Sequence, residues 1–221
     1  MDAALGGADI PTAFFTPEFA KKFPDDTGAI IKAACQTFEV TEQVFTKLSD
    51  TNSPQGVICL CSFPKFCLNP KRGGKYVILE NVADPANTGA IARTAEALGL
   101  DGMFVCGGCD IYSPKALRAS MGALVRFPAR VRTDAVSLLD ECRKAGIPCY
   151  AAVASSADCA HTKVSYANGA AVIIGNEANG VTESVKALCD QKITIPMKGR
   201  AESLNAAAAA AILIFEMTRD A

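Results

Sequence analysis

Residues 193–205 read Ile-Thr-Ile-Pro-Met-Lys-Gly-Arg-Ala-Glu-Ser-Leu-Asn, and an alanine run, Ala206–Ala211, follows them directly. The β-branched start predicts a short strand and the alanines predict a helix. The polar loop between them contains Gly199, and either Ser203 or Asn205 suits the N-cap of the helix. The first N–H groups of a helix have no partner within it, so this loop favours a ligand rich in acceptors. An ordinary strand–helix turn is the alternative.

Two further segments have the same form, an apolar strand that opens into a polar loop. Residues 76–80, Tyr-Val-Ile-Leu-Glu, lead into 81–89, Asn-Val-Ala-Asp-Pro-Ala-Asn-Thr-Gly, and then into a helical run. Residues 171–174, Ala-Val-Ile-Ile, lead into 175–180, Gly-Asn-Glu-Ala-Asn-Gly. Polar loops therefore follow three strands, and in a parallel sheet these loops lie together at one edge, where ligands bind.

From about residue 75 onward, strand patterns alternate with helix patterns. The strands are predicted at 76–81, 102–106, 125–128, 148–153, 171–175 and 192–195, and the helices near 88–99, 114–124, 134–145, 181–189 and 205–219. This alternation predicts an α/β fold with a parallel sheet and helices on both faces. No G-x-G-x-x-G follows the first of these strands, which disfavours a dinucleotide-binding domain and a conventional Rossmann methyltransferase.

The first 70 residues have a different character, because glycines and prolines interrupt short periodic runs. Glu39–Leu48 predicts a helix, Val57–Ser62 predicts a strand, and Phe63–Gly74 has the proline and glycine content of a linker. We therefore divide the chain into residues 1–70, a small substrate-binding-like region with its linker, and residues 71–221, the larger domain.

The 221 residues, 50% of them hydrophobic, suffice for a substantial folded domain and a smaller one. The sequence has no apolar run of about 18 residues and no signal-peptide pattern, so we expect a soluble cytoplasmic protein with no membrane partner. Most of the 10 cysteines lie in apolar runs and are predicted to be buried free thiols. Cys106 and Cys109 have C-x-x-C spacing without a second pair, and His161 is the one histidine, predicted to lie at the surface, so no metal is expected.

The net charge of −1 is unlike that of a nonspecific nucleic-acid binder. The basic residues, however, are concentrated in or near the segment with the three polar loops, where they either form a local basic face or are scattered and solvated. They are Lys71, Arg72, Lys75, Arg93, Lys115, Arg118, Arg126, Arg130, Arg132, Lys198 and Arg200.

Three motifs in order carry a family resemblance. The spacing of Asn81, Asn87, Gly89 and Arg93, the loop 175–180, and the segment from Ile-Pro-Met to Ser-Leu-Asn at 195–205 closely resemble the motifs of the SpoU (TrmH) family. Members of this family, within the SPOUT superfamily, are S-adenosylmethionine-dependent RNA ribose 2'-O-methyltransferases. The resemblance covers roughly residues 70 to 220, and the conjunction of three motifs is far more specific than a lone glycine pattern.

The resemblance implies a deep C-terminal trefoil knot, with the segments around Gly175 and Ile195 threaded through one another, and a homodimer whose second subunit completes each active site. Residues 53–57 resemble the end of the small α/β RNA-binding domain that often precedes the family's catalytic domain. We interpret the N-terminal region as a shortened form of that domain, or as a sequence that begins inside it.

The resemblance also implies where S-adenosylmethionine binds. Backbone groups in the knotted loops are expected to hold the cofactor, and Gly175 is expected to let it approach closely. The implied cofactor-binding residues are Ala154, Gly175, Asn176, Glu177, Ile195, Met197, Ser203 and Leu204.

By the same resemblance, Arg93 contacts the RNA phosphate beside the target ribose and the 2'-hydroxyl itself. The family proposal makes it a general base, but a guanidinium normally stays protonated, so we favour orientation and polarisation of the hydroxyl. The implied catalytic residues are Arg93, Asn87, Glu177, Ser203 and Asn205, and the implied RNA contacts are Arg93, Arg118 and Ser120.

The resulting hypothesis is a ribose 2'-O-methyltransferase that modifies RNA, with ribosomal RNA favoured because the N-terminal region resembles the ribosomal RNA branch. A transfer RNA methyltransferase, a catalytically silent RNA-binding protein, and a small-molecule α/β enzyme with chance motif matches are the alternatives. Methyl transfer to RNA separates the two methyltransferase readings from the catalytically silent protein, and specific RNA binding excludes the small-molecule enzyme.

Overall fold

A computed structural model describes residues 9–51, 53–132, 134–155 and 157–219. The chain divides into two compact units between Lys65 and Phe66.

The first unit is a small three-stranded sheet with three helices. Its strands are β1 (Ile10–Phe15), β2 (Ala34–Glu39) and β3 (Val57–Leu60), and its helices are α1 (Pro17–Lys22), α2 (Pro24–Ala33) and α3 (Glu42–Leu48). The sheet order is β2-β1-β3, with β2 parallel and β3 antiparallel to β1. Its apolar cluster joins Ile10, Ala13 and Phe15 to the helical residues Phe19 and Ile30.

Two prolines in this unit lie at the starts of helices, although the sequence pattern suggested that they interrupt secondary structure. Pro17 and Pro24 each occupy the first turn of a helix, and Thr16 caps α1 by accepting a hydrogen bond from the Phe19 N–H at 3.2 Å. Proline suits that position because the missing N–H would have had no helical partner. Helices α1 and α2 and strands β1 and β2 were therefore not predicted from the sequence. The helix predicted at 39–48 and the strand predicted at 57–62 are present as α3 and β3.

The second unit contains the remaining elements. Its strands are β4 (Lys75–Glu80), β5 (Gly102–Cys106), β6 (Ala129–Arg132), β7 (Cys149–Ala152), β8 (Cys159–Ala160), β9 (Ala170–Ile174) and β10 (Gln191–Thr194). Its helices are α4 (Pro85–Ala97), α5 (Pro114–Ser120), α6 (Ala123–Arg126), α7 (Ala135–Lys144), α8 (Glu183–Lys186) and α9 (Ala206–Thr218).

The seven strands form one sheet in the order β6-β5-β4-β9-β7-β10-β8, and every pairing in it is parallel. The predicted α/β class with a parallel sheet is confirmed. Strand β9 lies between β4 and β7, which places the loops after β4 and β9 side by side at the carboxyl edge.

The alternation of side chains along β4 explains why the whole strand is apolar. Val77 and Leu79 belong to a core with α4, α5 and α9, whereas Tyr76 and Ile78 belong to a second core with α7 and α8. A strand buried on both faces needs apolar residues at consecutive positions. The prediction of helices on both faces is confirmed.

Three predicted elements differ from the structure. Residues 125–128, predicted as a strand, end the short helix α6 and turn into β6, because the buried Leu124 packs this segment with α4 and α5. The helix predicted at 114–124 is broken where Met121 and Gly122 have φ of 48° and 84°. The helix predicted at 181–189 is reduced to α8.

Two side-chain predictions are also wrong. His161 is only 8% exposed, and its Nδ1 donates to the Thr194 carbonyl at 3.2 Å, while its own carbonyl accepts from the Tyr166 hydroxyl. All ten cysteines are free, but only Cys106, Cys142 and Cys149 are buried. Three are exposed and four are half-buried. No helix in the described part of the chain is long and apolar enough to cross a membrane.

Candidate active site

A cavity of about 580 Å³ lies at the carboxyl ends of β7, β9 and β10. The loop 175–180 after β9 forms one wall, and the segment from β10 to the start of α9 forms another. All eight residues predicted to bind the cofactor line this cavity: Ala154, Gly175, Asn176, Glu177, Ile195, Met197, Ser203 and Leu204. The structure therefore brings these eight predicted residues together at one cavity.

The Glu177 carboxylate joins two of the three motif loops. Its Oε2 accepts from the Ala83 N–H at 3.0 Å, and its Oε1 accepts from the Asp84 N–H at 3.1 Å and from Asn87 Nδ2 at 2.8 Å. Asn176 adds a further link, because its Nδ2 donates to the Asn81 carbonyl at 2.9 Å. The loop 175–180 is thus fixed to the loop after β4 from two adjacent positions.

Asn87 extends this connection to the third loop. While its Nδ2 donates to Glu177, its Oδ1 accepts from Asn205 Nδ2 at 3.0 Å. Asn205 also caps α9, since its Oδ1 accepts from the N–H groups of Ala207 and Ala208. Of the two N-cap candidates, Asn205 holds the position, and Ser203 is exposed at the cavity.

The environment of Glu177 keeps its side chain ionised. Partial burial raises the pKa of its carboxyl group, but the hydrogen bonds from Ala83, Asn87 and Asp84 together outweigh burial and leave the pKa below its ordinary value. An ionised carboxylate only accepts hydrogen bonds, which matches the donors around it.

Glu80, at the end of β4, anchors the segment that follows the loop 175–180. It was not predicted from the sequence as a site residue. Its buried carboxylate accepts from the Thr182 N–H at 2.9 Å and from the Thr182 hydroxyl at 2.5 Å. The sequence does contain a signal for Glu80: it is a charged residue at the end of an otherwise apolar strand that is covered on both faces. A charge buried in this way needs a partner.

Gly175 has a structural role that was not predicted from the sequence. A Cβ at this position would lie 2.2 Å from both the Gly180 carbonyl carbon and the Val181 nitrogen. The close approach of the protein's own backbone therefore requires a glycine here, and the predicted close approach of the cofactor to Gly175 stays a prediction. Asn176 and Gly180 bond to one another through their backbones and close this tight loop.

The three predicted RNA contacts do not line the cavity. Arg93 is exposed on α4, six residues after Asn87, which is about 9 Å along the helix axis. Arg118 is exposed on α5. Ser120 is 0% exposed, donates to the Leu117 carbonyl and accepts from the Leu124 N–H, so it joins α5 to α6 and is not positioned to contact RNA.

The cavity also has walls that the sequence analysis did not single out. Lys186 and Glu202 line it, as do Ala209 and Leu213 from α9. Helix spacing from the cap at Asn205 would have indicated the last two, because they face the loop at intervals of four residues. Among the described residues, no cluster of three or more His, Cys, Asp or Glu side chains suits a metal.

A seven-stranded parallel sheet whose joined carboxyl-end loops enclose a cavity of this size defines an α/β cofactor-binding enzyme. Residues 74–215 match the SpoU rRNA methylase family. The chain belongs to this family, the RNA 2'-O-ribose methyltransferases of the SPOUT class, and the predicted family and activity class are confirmed.

A relative from Bacillus subtilis (strain 168) is the 23S rRNA (guanosine(2553)-2'-O)-methyltransferase RlmP, which is 31% identical over 188 residues, 85% of this chain and 74% of its own. The SpoU methyltransferase AviRb from Streptomyces viridochromogenes, solved with AdoMet, is 26% identical with a TM-score of 0.87, over 99% of this chain and 86% of that one. An AdoMet-bound rRNA methyltransferase from Sinorhizobium meliloti is 28% identical with a TM-score of 0.85, over 99% and 83%. The predicted cofactor is the one these two structures hold.

Replacing Gly175 by alanine is expected to abolish cofactor binding, because the new methyl group would push the loop 175–180 away from Val181. Overpacking of this kind typically lowers the free energy of unfolding by about 1–3 kcal/mol. Isothermal titration with S-adenosylmethionine measures the loss. Gly199→Ala is the matched control, since a Cβ there meets nothing within 4 Å, and equal binding by the two variants would contradict the prediction.

Glu177→Gln is expected to lower stability at neutral pH, because an amide NH₂ would face at least one of the donors around the carboxylate. The pKa of Glu177 is lower in the folded state, so its contribution is present above the unfolded pKa and lost as the pH falls through the folded value. Urea unfolding midpoints of wild type and variant should therefore differ at pH 7 and converge in acid. A gap that is constant with pH would contradict an ionic role.

Proposed function

We propose that this protein transfers a methyl group from S-adenosylmethionine, bound in the 580 Å³ cavity, to a ribose 2'-hydroxyl of ribosomal RNA. The observation that carries the proposal is the hydrogen-bonded chain Glu177–Asn87–Asn205, which joins the three motif loops around the cavity. Relatives whose names specify 23S rRNA support the choice of ribosomal over transfer RNA.

The cavity suits this cofactor chemically. S-adenosylmethionine supplies an electrophilic methyl group on a positively charged sulfur. Glu177 and Glu202 bring negative charge to the cavity, while Ile195, Met197 and Leu204 provide apolar surface for an adenine ring. The backbone of the loop 175–180, fixed through Glu80 and Glu177, presents hydrogen-bonding groups in set directions, and such positioning accounts for much of the acceleration of a displacement reaction.

Arg93 is proposed to orient and polarise the 2'-hydroxyl and to bind the neighbouring phosphate. Its side chain is exposed and makes no hydrogen bond or ion pair with any described residue, so it is available for a substrate. A guanidinium does not lose its proton in this setting, so phosphate or water accepts the proton of the hydroxyl. Asn87 lies in the first turn of the same helix and positions it through Glu177 and Asn205.

The family's trefoil knot and homodimer belong to the same proposal. The chain runs from β7 out to β8, returns inside to β9, and leaves again to β10 between β7 and β8, a path that suits threading of the cavity loops. On α9, Ala208, Ile212 and Phe215 form an exposed apolar stripe, with Ile212 39% and Phe215 56% exposed. We propose that this stripe pairs with a second copy, which brings Arg93 of one subunit to the cavity of the other.

The first unit is proposed to recognise the substrate, as the resemblance of residues 53–57 implies. The predicted boundary at residues 70 and 71 and the predicted cytoplasmic location stay predictions. A transfer RNA substrate is the alternative, and the methyl-transfer experiment described next distinguishes it from ribosomal RNA.

The proposal predicts incorporation of labelled methyl groups from S-adenosylmethionine into unmodified ribosomal RNA and not into transfer RNA, in linkages that resist alkali. Arg93→Ala should reduce kcat by about 100- to 1,000-fold, as for loss of one essential charge-stabilising donor, without changing the cofactor Kd. Arg72→Ala, an exposed arginine before β4 at the opposite edge of the sheet, is the control. Cofactor binding without labelling of either RNA would favour the catalytically silent alternative.

Phe215→Asp is expected to convert a dimer into monomers, because it places a charge at the most exposed large residue of the apolar stripe on α9. Sedimentation equilibrium at micromolar concentration measures the change, with Val136→Asp, at an exposed apolar residue of α7 on the other face of the sheet, as the control. A wild-type protein that sediments as a monomer would overturn the dimer and leave the cofactor site intact.

A further inference from the structure

The segment between β10 and α9 leaves the cavity and returns to it. Met197 lines the cavity, the next four residues do not, and the lining resumes at Glu202 and continues to Asn205. All four residues of this excursion, 198–201, are exposed. We call residues 198–201 the rim loop, because both of its ends are part of the cavity wall.

The rim loop carries two cations. Lys198 and Arg200 are exposed, and neither forms a hydrogen bond or ion pair with any residue in the described part of the chain. Other cations near the motif loops are engaged: Lys115 pairs with Asp84 at 2.8 Å and Lys186 pairs with Glu183 at 2.9 Å. Arginine and lysine side chains without a protein partner are the groups that bind phosphate.

Chain length keeps both cations close to the cavity. The Cα atom of Lys198 is about 3.8 Å from that of Met197, and the Cα atom of Arg200 is at most about 7 Å from that of Glu202. Both cations therefore branch from backbone that lies next to residues of the cavity wall.

We propose that Lys198 and Arg200 bind the phosphodiester backbone of the RNA strand at the cavity mouth. The inference rests on the proposed function, because a ribose 2'-hydroxyl is attached to the carbon beside the one that bears the 3' phosphodiester. Any RNA that presents this hydroxyl to the cavity brings a phosphate with it. A protein of net charge −1 needs local positive charge at that point, and the rim loop supplies it.

These residues act on RNA and not on the cofactor. Their side chains do not line the cavity, whereas Met197 before them and Ser203 and Leu204 after them do. Phosphate contacts contribute affinity without reading base identity, so both residues should weaken binding of all RNA sequences alike.

The test is RNA binding as a function of salt concentration, with an unmodified ribosomal RNA transcript, for Lys198→Ala, Arg200→Ala and the double variant. Each single variant should bind about two- to fivefold more weakly, the range for an exposed ion pair. The slope of log K against log salt should fall by about 0.7 for each residue removed. Arg200→Lys should keep the slope, and Arg72→Ala is the matched control.

The cofactor Kd, measured on the same variants, should be unchanged. Slopes equal to that of wild type would overturn the inference, as would loss of cofactor affinity in parallel with RNA affinity, or an absence of RNA binding by the wild type. Methyl transfer is scored separately, so a wild type that binds RNA with the predicted slopes but does not methylate it refutes the proposed function and leaves the rim-loop contacts standing.

Discussion

The hydrogen bonds accepted by the Glu177 carboxylate determine the geometry of the whole site. Two donors from the loop after β4 and one from the first turn of α4 converge on its two oxygens. The donor on α4, Asn87, also accepts a hydrogen bond from Asn205. The lowered pKa of Glu177 means that the group stays an acceptor at neutral pH and does not act as a proton donor there. We therefore interpret Glu177 as the residue that assembles the site, whereas the methyl acceptor is oriented by other groups.

The remaining supports of the cavity act on the same loop. Glu80 accepts two hydrogen bonds from Thr182, just after the end of the loop 175–180. At the start of the loop, Gly175 has no side chain and therefore lies close to the backbone of Gly180 and Val181. Because these contacts involve backbone atoms and short side chains, the loop has little freedom to rearrange. A cavity with walls of this kind is preorganised, so less ordering is required when a ligand binds.

The sequence predicts the core of this structure well because periodicity and motif position report burial directly. Apolar runs such as 76–79 require a strand covered on both faces, and the motifs placed all eight cofactor-binding candidates at the cavity. Where prediction was wrong, tertiary contacts had overridden local preference. The buried Leu124 packs with α4 and α5, so the run predicted as a strand begins inside a helix. The hydrogen bond to the Thr194 carbonyl holds His161 in the interior.

Other features depend on contacts that no local pattern contains. Ser120 was predicted to contact RNA, but its side chain is enclosed by the turn between α5 and α6. Pro17 and Pro24 were interpreted as interruptions although each begins a helix. Lys186 lines the cavity together with the loop 175–180, and its own segment contains no pattern that indicates this position.

The residues that line the cavity extend from Ala152 to Leu213, and the carboxylate that assembles it bonds to residues more than 90 positions earlier. Contacts of such sequence separation form late, because the closure of long loops must precede them. During synthesis the chain therefore has no complete cofactor site until α9 has left the ribosome. A chain that stops before α9 contains all seven strands of the sheet but lacks one wall of the cavity, so the strands alone do not form a complete cofactor site.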